Sequence, residues 1–156
     1  MPEFSSSRDL FAYERTSSDG NTTPFRLQWE GRRVEALTVH FSVNYYLSGF
    51  QLVDSSGDKS EILGAAGNAG NHAFATTVSV RNVRRITLDS NTGAVFSLAF
   101  KTDSDDENHV YMNSYGHTVS HLDLAENEVI VGLYGDKNDN SNYKLKRFGF
   151  IVSTLS

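Results

Sequence analysis

Cysteine is absent from the 156 residues, and with it go disulfide frameworks, thiol nucleophiles and cysteine-based zinc sites. The same absence leans towards a reducing compartment. No apolar run approaches the roughly 18 residues that a membrane helix requires, so membrane insertion is not expected. The N-terminus lacks the charged-then-apolar pattern of a secretory leader. Basic residues are outnumbered, 14 Lys and Arg against 19 Asp and Glu for a net charge of −5, which leaves nucleic acid without electrostatic support as a partner. Arg32-Arg33, Arg81 to Arg85 and Lys144 to Arg147 are local exceptions, and each reads as a solvated strand edge that discourages pairing.

Catalytic signatures are missing as well. No serine sits in a Gly-x-Ser-x-Gly elbow, and no glycine-rich phosphate loop ending in Lys-Ser/Thr occurs. The reading is therefore a protein that is not an enzyme and carries no cofactor. His40, His72, His109, His117 and His121 form no zinc signature, because the His117-x-x-x-His121 spacing brings two rings together only on a helix.

Helical periodicity, too, is nowhere sustained. What stands in its place is short β-branched or aromatic runs bounded by Gly, Asn, Asp and Ser, spaced as in an all-β sandwich, barrel or prism. Phe25, Leu27 and Trp29 alternate with Arg26, Gln28 and Glu30, and Val39, Phe41 and Val43 with Thr38, His40 and Ser42, the period of a half-buried strand. Phe50 to Val53 is a third strand, closed by the turn Asp54-Ser-Ser-Gly-Asp58 before Ile62-Leu63. Ala73 to Val80, Arg84 to Leu88, Val95 to Lys101 and His109 to Asn113 follow, for an expected ten to twelve strands. Residues 1–17 read as a loose N-terminal segment and 18–156 as one domain.

The most site-like stretch is the end of the chain. An apolar run from Glu128 to Gly135 gives way to Asp136-Lys-Asn-Asp-Asn-Ser-Asn142, which carries no apolar residue, and period two returns with Phe148, Phe150 and Val152. A polar loop between two apolar strands is the expectation. Its carboxylates and amides could accept hydroxyl protons from a sugar, or it could be an ordinary solvated hairpin tip.

The order of these elements resembles the jacalin-related lectins. The similarity rests on Leu98-Ala-Phe-Lys-Thr102, on Val131-Gly-Leu-Tyr-Gly135 with the later Phe148-Gly-Phe-Ile-Val, and on Gly20 to Phe25 followed by Val34-Glu-Ala-Leu-Thr-Val. The resemblance implies a β-prism of three four-stranded Greek-key sheets with little or no helix, its first and last strands paired in one sheet. It also implies a metal-free monosaccharide site where three loops meet at one end. On that basis the ligand-binding residues are Gly20 and Asn21 in the opening loop, Asp105 in the middle loop at 103–108, and Gly135, Asp136, Lys137, Asn138, Asp139, Asn140 and Tyr143 in or beside the last.

Two departures from the family pattern are visible. The opening loop Ser18-Asp-Gly-Asn21 has one glycine where the family has a pair, and Lys146 stands where the family places its sugar-holding aspartate. A lysine has no acceptor, so the carboxylate would have to come from Asp136 or Asp139. The function implied is a carbohydrate-binding module for a glycan or glycoprotein, with a homo-oligomer or partner domain as the route to avidity. The alternatives are a protein-interaction or assembly module without sugar binding, and a calcium-dependent adhesion domain. Asp136-x-Asn138-x-Asn140 copies the start of an EF-hand loop, but Arg147 occupies the twelfth place, so calcium would need an irregular site shared with Asp103, Asp105, Asp106 or Glu107.

Overall fold

The computed structural model describes residues 4–15, 21–29, 32–41, 47–65, 74–91, 94–111, 118–138 and 145–155. Among them there are twelve strands and no helix. They form three four-stranded antiparallel sheets, a β-prism. In chain order the strands are β1 (Phe4–Glu14), β2 (Thr22–Gln28), β3 (Ala36–Phe41), β4 (Leu47–Val53), β5 (Leu63–Gly64), β6 (Phe74–Ser79), β7 (Val83–Ser90), β8 (Val95–Thr102), β9 (Glu107–Tyr111), β10 (Thr118–Asp123), β11 (Glu128–Asn138) and β12 (Leu145–Leu155). Sheet A has the order β1-β12-β11-β2, sheet B β5-β4-β3-β6 and sheet C β10-β7-β8-β9.

The core lies where the inner faces meet. Phe148 and Phe150 enter from β12, Phe50 from β4 and Phe100 from β8, all fully buried. Their rings interlock in tilted and edge-on pairs, Phe50 to Phe148 at 5.3 Å, Phe148 to Phe150 at 5.9 Å and Phe100 to Phe150 at 6.3 Å between centroids. Each such ring contributes about 1.5–3 kcal/mol of burial and edge contacts add to it. Because the four rings come from all three sheets, the sheets cannot form independently of one another.

Within the N-terminal segment, residues 4–14 are not loose. β1 pairs with β12 along its length, from Phe4 opposite Leu155 to Glu14 opposite Arg147, so the prism begins well before residue 18. Leu10 and Ala12 pack on the core and Tyr13 is buried in it, an apolar stripe too short to stand out from its Ser-rich surroundings. On the outer face of sheet B, by contrast, polar residues are closed by one another: Thr38 shares a hydrogen bond with Thr77 at 2.8 Å and His40 one with Gln51 at 2.8 Å. Buried polar groups need such partners. His40 is thus a satisfied structural histidine.

Candidate functional site

Strand direction decides which connections share an end of the prism. At one end, the amide of Arg15, just after β1, donates to Lys146 O at 2.7 Å, and the Tyr13 hydroxyl donates to the carbonyl of Asn91, just after β7, at 3.0 Å. Thr22, the first residue of β2, is in register with Asn138, the last of β11. The residues flanking segments 16–20, 92–93 and 139–144 therefore gather at this end. The β7–β8 turn there is tied by Asn91, whose side chain accepts from the Ala94 amide at 2.9 Å.

The expected middle loop is elsewhere. Residues 103–106 join the far end of β8 to β9, where the Asp103 amide donates to Asn82 O at 3.1 Å. That end also holds Leu124, whose amide donates to Arg84 O at 2.9 Å, and Glu128, whose carbonyl accepts from Arg84 Nη1 at 3.3 Å. Asp105 sits there in the left-handed region at φ 67°, a turn conformation that Asp tolerates. The structure thus separates Asp105 from Asn21, Asp136, Lys137 and Asn138 by the length of the strands. The connection whose described flank, Asn91, meets β1 at the end holding Thr22 and Asn138 is the one between β7 and β8.

The final hairpin is also more strand than expected. β11 continues through Asp136 and Lys137 to Asn138, held on one side by β12 and on the other by β2. Asp136 is opposite Arg147 in register, and their carboxylate and guanidinium are bonded. This carboxylate is already occupied as an acceptor. Asn138 is buried, Lys137 is half-buried, and Asn21 is exposed beside the start of β2. Gly135 lies within β11, where a Cβ would come within 2.3 Å of Arg147 O, so its glycine serves strand packing rather than a loop. Lys146, in the place of the family's aspartate, donates to the carbonyl of Arg15 at 2.7 Å, pinning β12 to the end of β1. Gly20, Asp139, Asn140 and Tyr143 lie outside the described residues.

The same separation bears on calcium. Asp136 and the acidic run Asp103–Glu107 are at opposite ends, so they cannot share one ion. Among the described residues no three His, Asp or Glu side chains cluster as a metal site would need. His109 pairs with Glu107 at 2.8 Å and His121 with Thr87 at 2.9 Å, both within sheet C. The basic clusters are likewise engaged: Arg32 with Asp54 at 3.0 Å, Arg33 with Glu35 at 3.3 Å and Arg85 with Asp123 at 2.8 Å.

No protein-family model matches the sequence, and no curated protein matches it. Solved structures do match. The fold is that of the jacalin-related lectins. A prostate-specific glycoprotein lectin shares the fold at TM-score 0.67 and 14% identity, over 92% of this chain and 96% of that one. Artocarpin, solved with methyl α-mannose, gives 0.61 and 16% over 94% and 98%, and Calsepa lectin, solved with a biantennary N-glycan, gives 0.59 and 15% over 94% and 97%. At such identities the likeness establishes the β-prism, and this chain's own residues decide what the prism does.

Proposed function

We propose that this protein is a non-enzymatic carbohydrate-binding module recognising a glycan, free or on a glycoprotein, at the end of the jacalin-type β-prism where β1, β7 and β11 terminate. The supporting observation is the Tyr13–Asn91 hydrogen bond at 3.0 Å, which ties the first strand to the β7–β8 turn beside the flanks of the final hairpin. That juxtaposition can present three connections to one ligand. With Lys146 and Asp136 both engaged, the hydroxyl acceptor is assigned to Asp139 or Asn140, with Tyr143 as an apolar platform and backbone donors near Gly20 and Asn21. Vicinal hydroxyls need such paired acceptors and donors. Single sites of this kind are weak, so presentation of several copies is the expected route to useful affinity.

A glycan array at high protein density tests this, followed by Asp139→Ala with Asn140→Ala. Binding by the native chain that the double variant abolishes supports the assignment. Retained binding overturns the residues, and an empty array overturns the function. The second reading is a prism that has lost sugar binding and serves as a protein-interaction module. It is favoured by Lys146, whose ammonium holds Arg15 where the family's carboxylate would hold a sugar, and an empty array would select it.

A further inference from the structure

The outer face of sheet A carries a feature unrelated to the three end connections. Reading across the strands, Phe11 of β1, Gly149 of β12, Tyr134 of β11 and Arg26 of β2 lie in one row. The Tyr134 ring lies on Gly149, where a Cβ would come within 2.5 Å of the ring carbon Cζ. Guanidinium groups of Arg26 and Arg147 each sit 5.7 Å from the ring centroid, within cation–π range. Each arginine is also fixed by a carboxylate: Arg26 reaches over two strands to Asp9 through bonds of 3.0 and 3.1 Å, and Arg147 is bonded to Asp136. Between the two arginines is an open depression of about 370 Å³, floored by Pro24, Phe25, Tyr134 and Gly135.

The chemistry of this depression selects among occupants. Two arginines matched by two carboxylates leave no net charge, so a free anion would have to compete with a carboxylate already bonded to each guanidinium. Strand addition by another protein is disfavoured at the adjoining edge, since Pro24 on β2 offers no N–H. A neutral ring with one apolar face and a rim of hydroxyls fits both parts. Pro24, Phe25 and Tyr134 supply apolar surface, while the two fixed guanidinium groups present their remaining N–H donors in set positions. The site is also continuous with the end of the prism, because Pro24 and Asp136 are in register two residues along from Thr22 and Asn138, about 7 Å at strand rise.

We infer that the depression between Arg26 and Arg147 is a second carbohydrate subsite that takes one neutral pyranose ring, either alone or as the next residue of a glycan held at the end of the prism. The inference extends the proposed function but does not need the same residues. Backbone and arginine side-chain NMR signals, followed during titration of the full chain with methyl α-mannoside and with a biantennary N-glycan, separate the two. The expected result is saturable shifts at the Gly135 amide and the Arg147 Nε–H. In Arg26→Ala, half-saturation at those signals should rise about tenfold, the loss of one charge-assisted hydrogen bond, while Arg26→Lys should fall between. Shifts at Asn21 and Asn138 without shifts at Gly135 and Arg147 overturn the subsite and leave the end site standing. Shifts at Gly135 and Arg147 alone do the reverse, and no shift with either probe overturns both. An Arg26→Ala titration indistinguishable from the native one also overturns the subsite.

Discussion

At Gly132 and Gly57 the same atom is missing for different reasons. A Cβ at Gly132 would lie 2.1 Å from Leu27 O and 2.8 Å from Gln28 Cα, both backbone of the neighbouring strand, so β2 would have to move away. Gly57 has open space around it but a φ of +90°, set by the Asp54–Asp58 turn. There Asp54 Oδ1 accepts from the Ser56 amide at 2.9 Å and the Asp58 amide at 3.1 Å. Gly132→Ala is expected to destabilise by about 3 kcal/mol, the upper range for overpacking, and Gly57→Ala by about 1 kcal/mol, the left-handed penalty. Chemical denaturation of both variants checks the order.

Glu128 gives the residue scale a pH dependence. It accepts from Arg8 at 2.7 and 2.8 Å and from the Ala125 amide at 2.8 Å. The hydrogen bonds from Arg8, chiefly, hold its carboxyl below the usual glutamate range. A depressed folded pKa contributes stability in full above the unfolded value, roughly 4.3, and loses it as pH falls through the folded value. Glu128→Gln should therefore cost about 1–2 kcal/mol at neutral pH, the worth of a charge-assisted bond to a half-exposed arginine. The gap between the two proteins should close only as pH falls below the usual glutamate range and the native carboxyl protonates too. Thermal melts from pH 3 to 7 show whether it does.

Among the elements, the legible strands are those with an apolar face. β2, β3, β4, β7, β8, β11 and β12 show at period two in the sequence because burial demands it. The two that do not show are β1 and β10, each paired on one side only. Val119 of β10 is 55% exposed and Phe11 of β1 51%, and most of their other residues are polar, so the few that reach the core, Leu10, Ala12 and Tyr13 of β1 and Leu122 of β10, make no sustained pattern. Missing β10 has a further cost. Read straight from β9 into β11, the chain places 103–108 and the final hairpin at the same end; one added antiparallel strand reverses that parity. The polar run at the end of the chain is legible in the sequence; which connections share its end of the prism is not. Likewise the polar Asp136-Lys-Asn138 looked like loop because its strand character is imposed by two neighbours.

β1 can be tested as an element through Tyr13. Tyr13→Phe removes only the hydroxyl that reaches Asn91 and should lower stability by about 1 kcal/mol, the net worth of one hydrogen bond. If Tyr13 also sets the end connections, the variant should bind glycan more weakly than its stability change explains. Thermal melting and a binding titration on the same preparation separate the two effects.

On the scale of the whole molecule, the prism keeps its two ends chemically apart. One end gathers the flanks of 16–20, 92–93 and 139–144; the other carries Asp103, Asp105, Asp106 and Glu107 beside Arg81, Arg84 and Arg85. Substituting Asp103 and Asp105 together with Asn is expected to leave any glycan titration unchanged. Melting curves in calcium and in chelator should superimpose, since the acidic run and Asp136 cannot join on one ion. A calcium-dependent upward shift would revive the adhesion reading.

The pairing of β1 with β12 also orders events in time. Arg15 and Lys146 are 131 residues apart in sequence, yet each donates to the other's carbonyl, Arg15 from its amide and Lys146 from its ammonium. During synthesis β1 leaves the ribosome with no partner and waits until β12 has emerged, with Tyr13 and the N–H and C=O groups that β12 will pair left open meanwhile. Contacts of such long sequence separation put all-β folding in the millisecond-to-second range. The serines and the Arg8-Asp9 pair of β1 are then read as protection for a strand that must stay unpaired until the end.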